Sequence, residues 1–277
     1  GLDLQGLVKR VYKTLQYESS FYKMLNDNYI GEVRNTGTPV IEILNSDNLT
    51  INVRQTEEIA NALVPTLATY TPVKVDLTEL PMDYSVRVPV LVMGSGVENA
   101  IADAIDQKNS AVAKAIDTYG FGKLATNVEG EGLWAPADAT GYITALNNLK
   151  ATLFNKNVYD GYRLGISATE YASLVSALTS ILKYETMTGV EGVDRGIVAN
   201  AYGIEIFPIN DNYLDGEIGY FFNPVAVVGD TFFDSFVQYN GNYPGFPGYY
   251  VIEGNIMFGA EVVKQDAIVK LVEELSA

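Results

Sequence analysis

Between residues 84 and 123 the chain changes its hydrophobic period. Val86, Val88, Val90 and Val92 fall two apart, the spacing of a strand. After Gly94, Ser95 and Gly96, the residues Val97, Ile101, Ala104, Ile105, Lys108, Val112, Ile116 and Tyr119 recur at three and four, which predicts one stripe on a helix over 97–119. Glu98, Asp103, Asp106, Gln107, Lys114 and Asp117 fall on the opposite face. Gly120 and Gly122 are expected to end the helix, because glycine tolerates the left-handed backbone just past a helix terminus.

The remainder reads as attachments to this unit. Leu2, Leu4, Leu7, Val8, Val11, Tyr12 and Leu15 predict an amphipathic helix, followed by the aromatic-rich segment 17–29. Residues 1–30 are therefore expected to be an arm that finds its partner elsewhere. Over 31–70, two short strands, 40–44 and 49–54, flank the polar quartet 45–48 and predict a hairpin. Such a long excursion is uncommon within a compact domain, which points to a functional segment. Alternation at Val73, Val75 and Leu77 marks a half-buried strand that Pro81 interrupts.

A glycine and acid loop is expected over 120–132, ending near the single tryptophan, Trp134. Ile143, Leu146, Leu149 and Leu153 predict a helix over 138–154, and 163–166 a strand. Ser167-Ala168-Thr169-Glu170 is a capping-box pattern opening a helix through Leu174, Leu178, Ile181 and Leu182. Residues 188–201 read as a glycine-rich loop. Strand-like runs follow at 203–208, 218–222 and 226–228, then an aromatic loop at 239–250, then closing strands at 249–258 and 261–272.

Composition removes whole branches of chemistry. At 277 residues and 48% hydrophobic, the chain can bury a core in one or two domains. With neither Cys nor His it has no disulfide, thiolate nucleophile, Cys/His zinc site or Ser-His-Asp triad. The net charge of −16 argues against tight binding to phosphate backbones. The first thirty-four residues are better balanced, with Lys9, Arg10, Lys13, Lys23 and Arg34. No apolar run reaches the ~18 residues of a membrane span, and the first residues lack the order of a signal peptide, so a soluble protein is expected.

Each local candidate for chemistry has a plain structural alternative. Gly94-Ser95-Gly96 between strand and helix suggests a dinucleotide cradle, but Asn99 stands where the third glycine belongs and no acid-ended second strand follows. Asp211 to Gly216 resembles a calcium loop, yet Tyr213 and Phe222 occupy ligand positions. Asp103 and Asp106 are either solvated or paired with a neighbouring chain, and the aromatics of 239–250 either stack on a sugar or pack at a subunit contact. The reading is of a non-enzyme with no cofactor and no metal.

The order of parts resembles the major capsid proteins of tailed bacteriophages, the Hong Kong 97 type. Tyr119-Gly120-Phe121-Gly122, Tyr162-Arg163-Leu164-Gly165-Ile166-Ser167, Asn200-Ala201-Tyr202-Gly203-Ile204-Glu205-Ile206 and Ile218 to Ala226 carry the resemblance. It implies an α+β fold with an N-terminal arm (1–30), an extended loop hairpin (31–70), a peripheral domain with a long spine helix (71–124 and 223–277) and an axial domain (125–222). It further implies a subunit that assembles with itself into hexamers and pentamers of an icosahedral virion shell, built in the host bacterial cytoplasm. That shell would enclose double-stranded DNA without sequence-specific binding, with portal, scaffolding or decoration proteins as further partners and no membrane. The expected assembly contacts are Leu4, Leu7, Val11, Tyr12, Arg34, Ile51, Val53, Arg54, Asp103, Asp106, Trp134, Tyr243 and Phe246. Some members crosslink Lys to Asn of a neighbour; neither Lys74 nor Lys123 matches such a position, so no crosslink is expected. Encapsulins resemble the same fold and are the nearest alternative, and a dinucleotide-binding enzyme domain is the alternative of a different class.

Overall fold

Leu7, Val11 and Leu15, one helical turn apart, give the first helix, α1 (Leu4–Glu18), a buried face. The computed structural model describes residues 4–31, 38–47, 69–89, 97–178 and 199–275. A single 3-10 turn, Tyr22–Met24, follows α1. Then come β1 (Val40–Asp47), β2 (Thr69–Asp76), β3 (Leu80–Pro89) and the 31-residue helix α2 (Val97–Asn127). The middle of the chain holds β4 (Glu131–Leu133), α3 (Ala139–Phe154), β5 (Tyr162–Ser167) and α4 (Ala168–Leu178). It closes with β6 (Ala199–Ala201), β7 (Ile204–Ile209), β8 (Gly219–Phe222), β9 (Val227–Tyr243), β10 (Phe246–Val262) and β11 (Ile268–Val272).

Among the described residues these strands make three sheets: the ribbon β1-β2, the sheet β3-β10-β9, and the six-stranded sheet β4-β11-β8-β5-β7-β6. The pairs β5-β7 and β11-β4 are parallel and the rest antiparallel. The expected α+β class is what the chain adopts. Its main core runs from α1 and the segment after it, across α2 and β3, to α3, β5, β7, β8, β10 and β11. A smaller cluster of Ile41, Ile43, Val75, Leu77 and Val228 seats the ribbon on β9. That seat depends on a missing side chain, because a Cβ on Gly259 would stand 1.8 Å from the carbonyl oxygen of Asp76.

Four sequence expectations change. The predicted stop at Gly120 and Gly122 is not a stop: α2 continues to Asn127, so the expected loop of 120–132 is mostly helix. Two mid-helix glycines cost about 1 kcal/mol each against alanine. Burial of Phe121, Leu124 and Val128 along the extra turns outweighs that cost.

The polar residues Asn45, Ser46 and Asp47 do not form the predicted turn. They extend β1, which pairs with β2 from Val40 opposite Asp76 to Asp47 opposite Thr69. This register places Ile41 against Val75 and Ile43 against Val73 over Val228, and the gain of a full ladder exceeds local turn preference. The predicted strand over 49–54 lies outside the described residues.

The aromatic loop expected over 239–250 is the end of a β-hairpin. Its two strands, β9 and β10, are 17 residues each and meet at Pro244-Gly245. Conversely, the closing strand expected over 261–272 is broken by a 3-10 turn at Gln265–Ala267. β10 ends before that turn in one sheet, and β11 begins after it in another.

The helix predicted over 138–154 is α3, opened by Asp138, whose side chain accepts from the Gly141 amide. Half of the capping box forms, as Ser167 Oγ accepts from the Glu170 amide at 3.2 Å. The other half is absent because Ser167 N already donates to Ile218 O, leaving the Glu170 carboxylate to Trp134 Nε1 and Tyr142 OH. Gly94 to Gly96, the stretch of the dinucleotide motif, lies outside the described residues, as do Val90 and Val92.

Candidate assembly site

Two parts of the subunit bear on assembly: the N-terminal segment and the end of the β9-β10 hairpin. The first is anchored in its own chain. Leu7, Val11 and Leu15 are buried against α2, so the expected arm that hides its apolar residues only in a neighbour is corrected for α1. Leu7 and Val11 are core residues and offer no surface to another copy. Leu4 is the first residue of α1.

Polar groups fix the same segment. Asp117, predicted on the solvent face of α2, is buried and accepts from Ser19 Oγ at 2.5 Å, Phe21 N at 2.9 Å and Ser20 N at 3.2 Å. Burial pushes its carboxyl above the usual range, against the pull of those hydrogen bonds and of Lys23. Asp230 on β9 is likewise buried and accepts from Gly31 N at 2.7 Å, Thr231 N at 2.7 Å, Tyr12 OH at 3.1 Å and Tyr22 OH at 3.2 Å. Its carboxyl is also raised by burial, with the four donors opposing. Tyr12 is therefore an internal tie to β9, not a surface contact.

From the six-stranded sheet, Arg163 reaches back to the same segment. Its Nε donates to Glu205 at 2.7 Å and its Nη1 to the Lys23 carbonyl at 2.9 Å, with Asp27 3.6 Å from Nη2. Ser20 Oγ adds a bond to the Pro208 carbonyl at 2.9 Å. Residues 4–31 thus strap α2, β9 and the six-stranded sheet together.

A further junction joins α2 to the sheet β3-β10-β9. Lys123 donates to Glu261 at 2.6 Å and to Glu79, which also accepts from Tyr119 OH. Burial alone would lower the Lys123 pKa, but the hydrogen bonds to Glu261, Glu79 and Tyr119 outweigh it and hold the ammonium charged. Burial and Glu79 push the Tyr119 phenol up to about 12.

The hairpin end is the contrasting region. Tyr239, Tyr243, Phe246 and Tyr249 form a chain of ring contacts with centroids 5.0, 6.1 and 6.2 Å apart. The Arg87 guanidinium of β3 lies 4.3 Å from the Phe246 centroid and 5.3 Å from that of Tyr249. Tyr243 OH donates to Glu253 at 2.9 Å, and Phe246 is 43% exposed. One exposed ring backed by three half-buried ones on a β-ribbon is the kind of surface that recognition uses.

The other expected contacts divide. Asp103 is exposed. Asp106 is paired within its own chain, accepting from Arg10 Nε at 2.8 Å and Nη2 at 2.7 Å. Trp134 is buried with Nε1 3.2 Å from Glu170, which removes it from the surface. Arg34, Ile51, Val53 and Arg54 lie outside the described residues. Asp117, placed on the polar face of the helix, Arg163, named only within the stretch 162–167, and Asp230 were not expected to tie the N-terminal segment, because their partners sit far away along the chain.

Comparison by sequence matches no family model and no curated relative. Comparison by structure gives many matches. One is a protein of Mycobacterium phage Che8, with TM-score 0.58, 16% identity and coverage of 92% of this chain and 91% of that one. Another is from the capsid of cyanophage P-SCSP1u, with TM-score 0.58, 16% identity and coverage of 86% and 84%. A third is the virus-like particle from Pyrococcus furiosus, with TM-score 0.52, 12% identity and coverage of 96% and 98%. The chain thus has the Hong Kong 97-like fold, as its order of parts led one to expect.

Proposed function

We propose that this chain is a major capsid protein that self-assembles into the hexamers and pentamers of an icosahedral shell around the double-stranded DNA of a tailed phage. The observation that carries the reading is the structural match to phage capsid chains over about nine tenths of both partners. The peripheral part would comprise α2 with the sheet β3-β10-β9, and the axial part the six-stranded sheet with α3 and α4, a division that moves β11 out of the 223–277 stretch expected to be peripheral. Tyr243 and Phe246 on the hairpin end, Asp103 on α2, and Arg34, Ile51, Val53 and Arg54 of the 31–70 segment are the proposed contacts with neighbours. A net charge of −16 suits a lumen in which packaged DNA must slide without sticking. The shell would form in the host cytoplasm and end in the virion, with portal, scaffolding or decoration proteins joining it.

The match to the Pyrococcus furiosus particle supports a second reading, a compartment shell that holds protein cargo in place of a genome. Large hollow particles in negative-stain images of the purified chain would support both. A monodisperse monomer by light scattering at every salt concentration tried would sink both. Nuclease-protected DNA inside particles from the native source separates the first from the second.

A further inference from the structure

At the turn between β6 and β7 a tyrosine takes a left-handed backbone. Ala201 pairs with Ile204 across the two-residue turn Tyr202-Gly203, whose φ angles are 54° and 72°. Turns of this hand select Asn, Asp or Gly at the first position, because most side chains are strained there. A tyrosine in that place would ordinarily be held by packing of its ring, yet Tyr202 is 40% exposed.

The turn is tied to α3 by Lys150, whose Nζ donates to the Tyr202 carbonyl at 2.9 Å. One turn along the same face of α3 stands Phe154, 54% exposed. It meets Tyr159, 59% exposed, edge to face with centroids 4.9 Å apart. Tyr159 is itself fixed by a hydrogen bond of 2.9 Å to Asn157, a second left-handed residue with φ 63°. Three half-exposed rings therefore lie around Lys150, two of them in contact with each other and the third on the turn that Lys150 holds.

The charge around them identifies the occupant. Lys150 lies one turn before Phe154 on α3 and Lys156 two residues after it, just past the end of the helix, and among the described residues neither is paired with a carboxylate. Asp160, exposed, follows Tyr159, so the stretch 150–160 carries two bases to one acid in a chain that as a whole carries 34 acids against 18 bases, and this stretch is basic relative to the rest. A second copy offers that acidic surface, and burying three preorganised rings at little entropic cost favours association.

We propose that Phe154, Tyr159 and Tyr202, rimmed by Lys150 and Lys156, dock onto an acidic face of a second copy of this chain. The inference rests on the shell reading and names one of its contacts. The test compares wild type with Tyr202→Asn, which suits the turn, with the double variant Phe154→Ser, Tyr159→Ser, and with Lys156→Glu. Sedimentation velocity across subunit concentrations reads assembly, and thermal melting reads the subunit. The expected result is a tenfold or greater rise in the concentration needed for assembly in each variant, with Tyr202→Asn melting at or above the wild-type temperature. Wild-type particles matched by unaltered assembly of the three variants overturn the patch and leave the shell reading standing. A wild-type chain that never assembles overturns both.

Discussion

Phe21 rests its ring on the bare Cα of Gly120, so closely that a Cβ built there would stand 2.3 Å from the ring's Cγ. The ring cannot retreat, because Phe121 and Phe258 hold it edge-on at 5.5 and 6.0 Å. Gly122, two residues on and exposed, has nothing within 4 Å of the same construction. Both glycines lie inside α2, where alanine is intrinsically better by roughly 1 kcal/mol. The pair should therefore split in sign. Gly122→Ala is expected to stabilise by about 0.5–1 kcal/mol, whereas Gly120→Ala should destabilise by about 1–2 kcal/mol net of that gain. Urea unfolding of the two variants checks this, and a stabilised Gly120→Ala would remove the contact from the account.

The two arginines that reach across the N-terminal segment should differ in the same way. Arg10 meets Asp106 with good geometry, but their side chains are 37% and 53% exposed, so Arg10→Ala is expected to cost at most about 1 kcal/mol. Arg163 is buried, and its loss would strand the half-buried Glu205 and leave the Lys23 carbonyl short of a donor. Arg163→Ala is expected to cost about 3 kcal/mol or more. Equal penalties in chemical denaturation would refute the strap described for residues 4–31.

What the sequence revealed and hid follows from the range of the forces involved. The stripe from Ile101 to Ile116 was legible because a helix repeats its buried face every three or four residues, and each of Ile101, Ile105, Val112 and Ile116 is indeed buried. Asp117 obeys the same local arithmetic for the polar side, yet it is buried by Ser19, Ser20 and Phe21, partners that no spacing within the helix encodes. Gly120 read as a stop for the same reason, since only Phe21 shows why a side chain is missing. On the hairpin, the density of Pro and Gly over 239–250 masked the strand alternation, and Tyr243 and Phe246 were chosen for their rings without the ribbon that carries them. The order of elements was legible over most of the chain because it is a one-dimensional property, whereas the strap is a set of contacts distant in sequence.

Asp117 also sets an expectation for pH. Its carboxyl is raised by burial in the folded chain, so the native state holds its proton to higher pH than the unfolded chain does. Stability from this group is then fully present below the unfolded carboxyl pKa of ~3.9 and is lost as pH rises through the folded value. Asp117→Asn, which cannot ionise, lacks that loss. The variant should be less stable than wild type, because an amide cannot accept all three donors, and its deficit should be largest in mild acid and shrink toward neutrality. Denaturant titrations of both proteins from pH 4 to 8 test this. A deficit that instead grows with pH would mean that the three hydrogen bonds outweigh burial at this site.

Removal of residues 1–23 is the sharpest test of where the arm belongs. An arm that packs only on neighbours could be cut away to leave a folded subunit. Here the deletion would take Leu7, Val11, Leu15, Phe21 and Tyr22, all buried in the main core, and the donors that Asp117 holds. At roughly 1.5–3 kcal/mol for each buried side chain, the loss is on the order of 10 kcal/mol. That is comparable with the whole stability of a typical domain, roughly 5–15 kcal/mol. The truncated chain is therefore expected to lose cooperative thermal unfolding and to bind hydrophobic dyes. The point change Leu15→Ala should retain the fold while costing about 2–5 kcal/mol. Recovery of a truncated subunit with a wild-type melting temperature would return residues 1–23 to the role of a free arm.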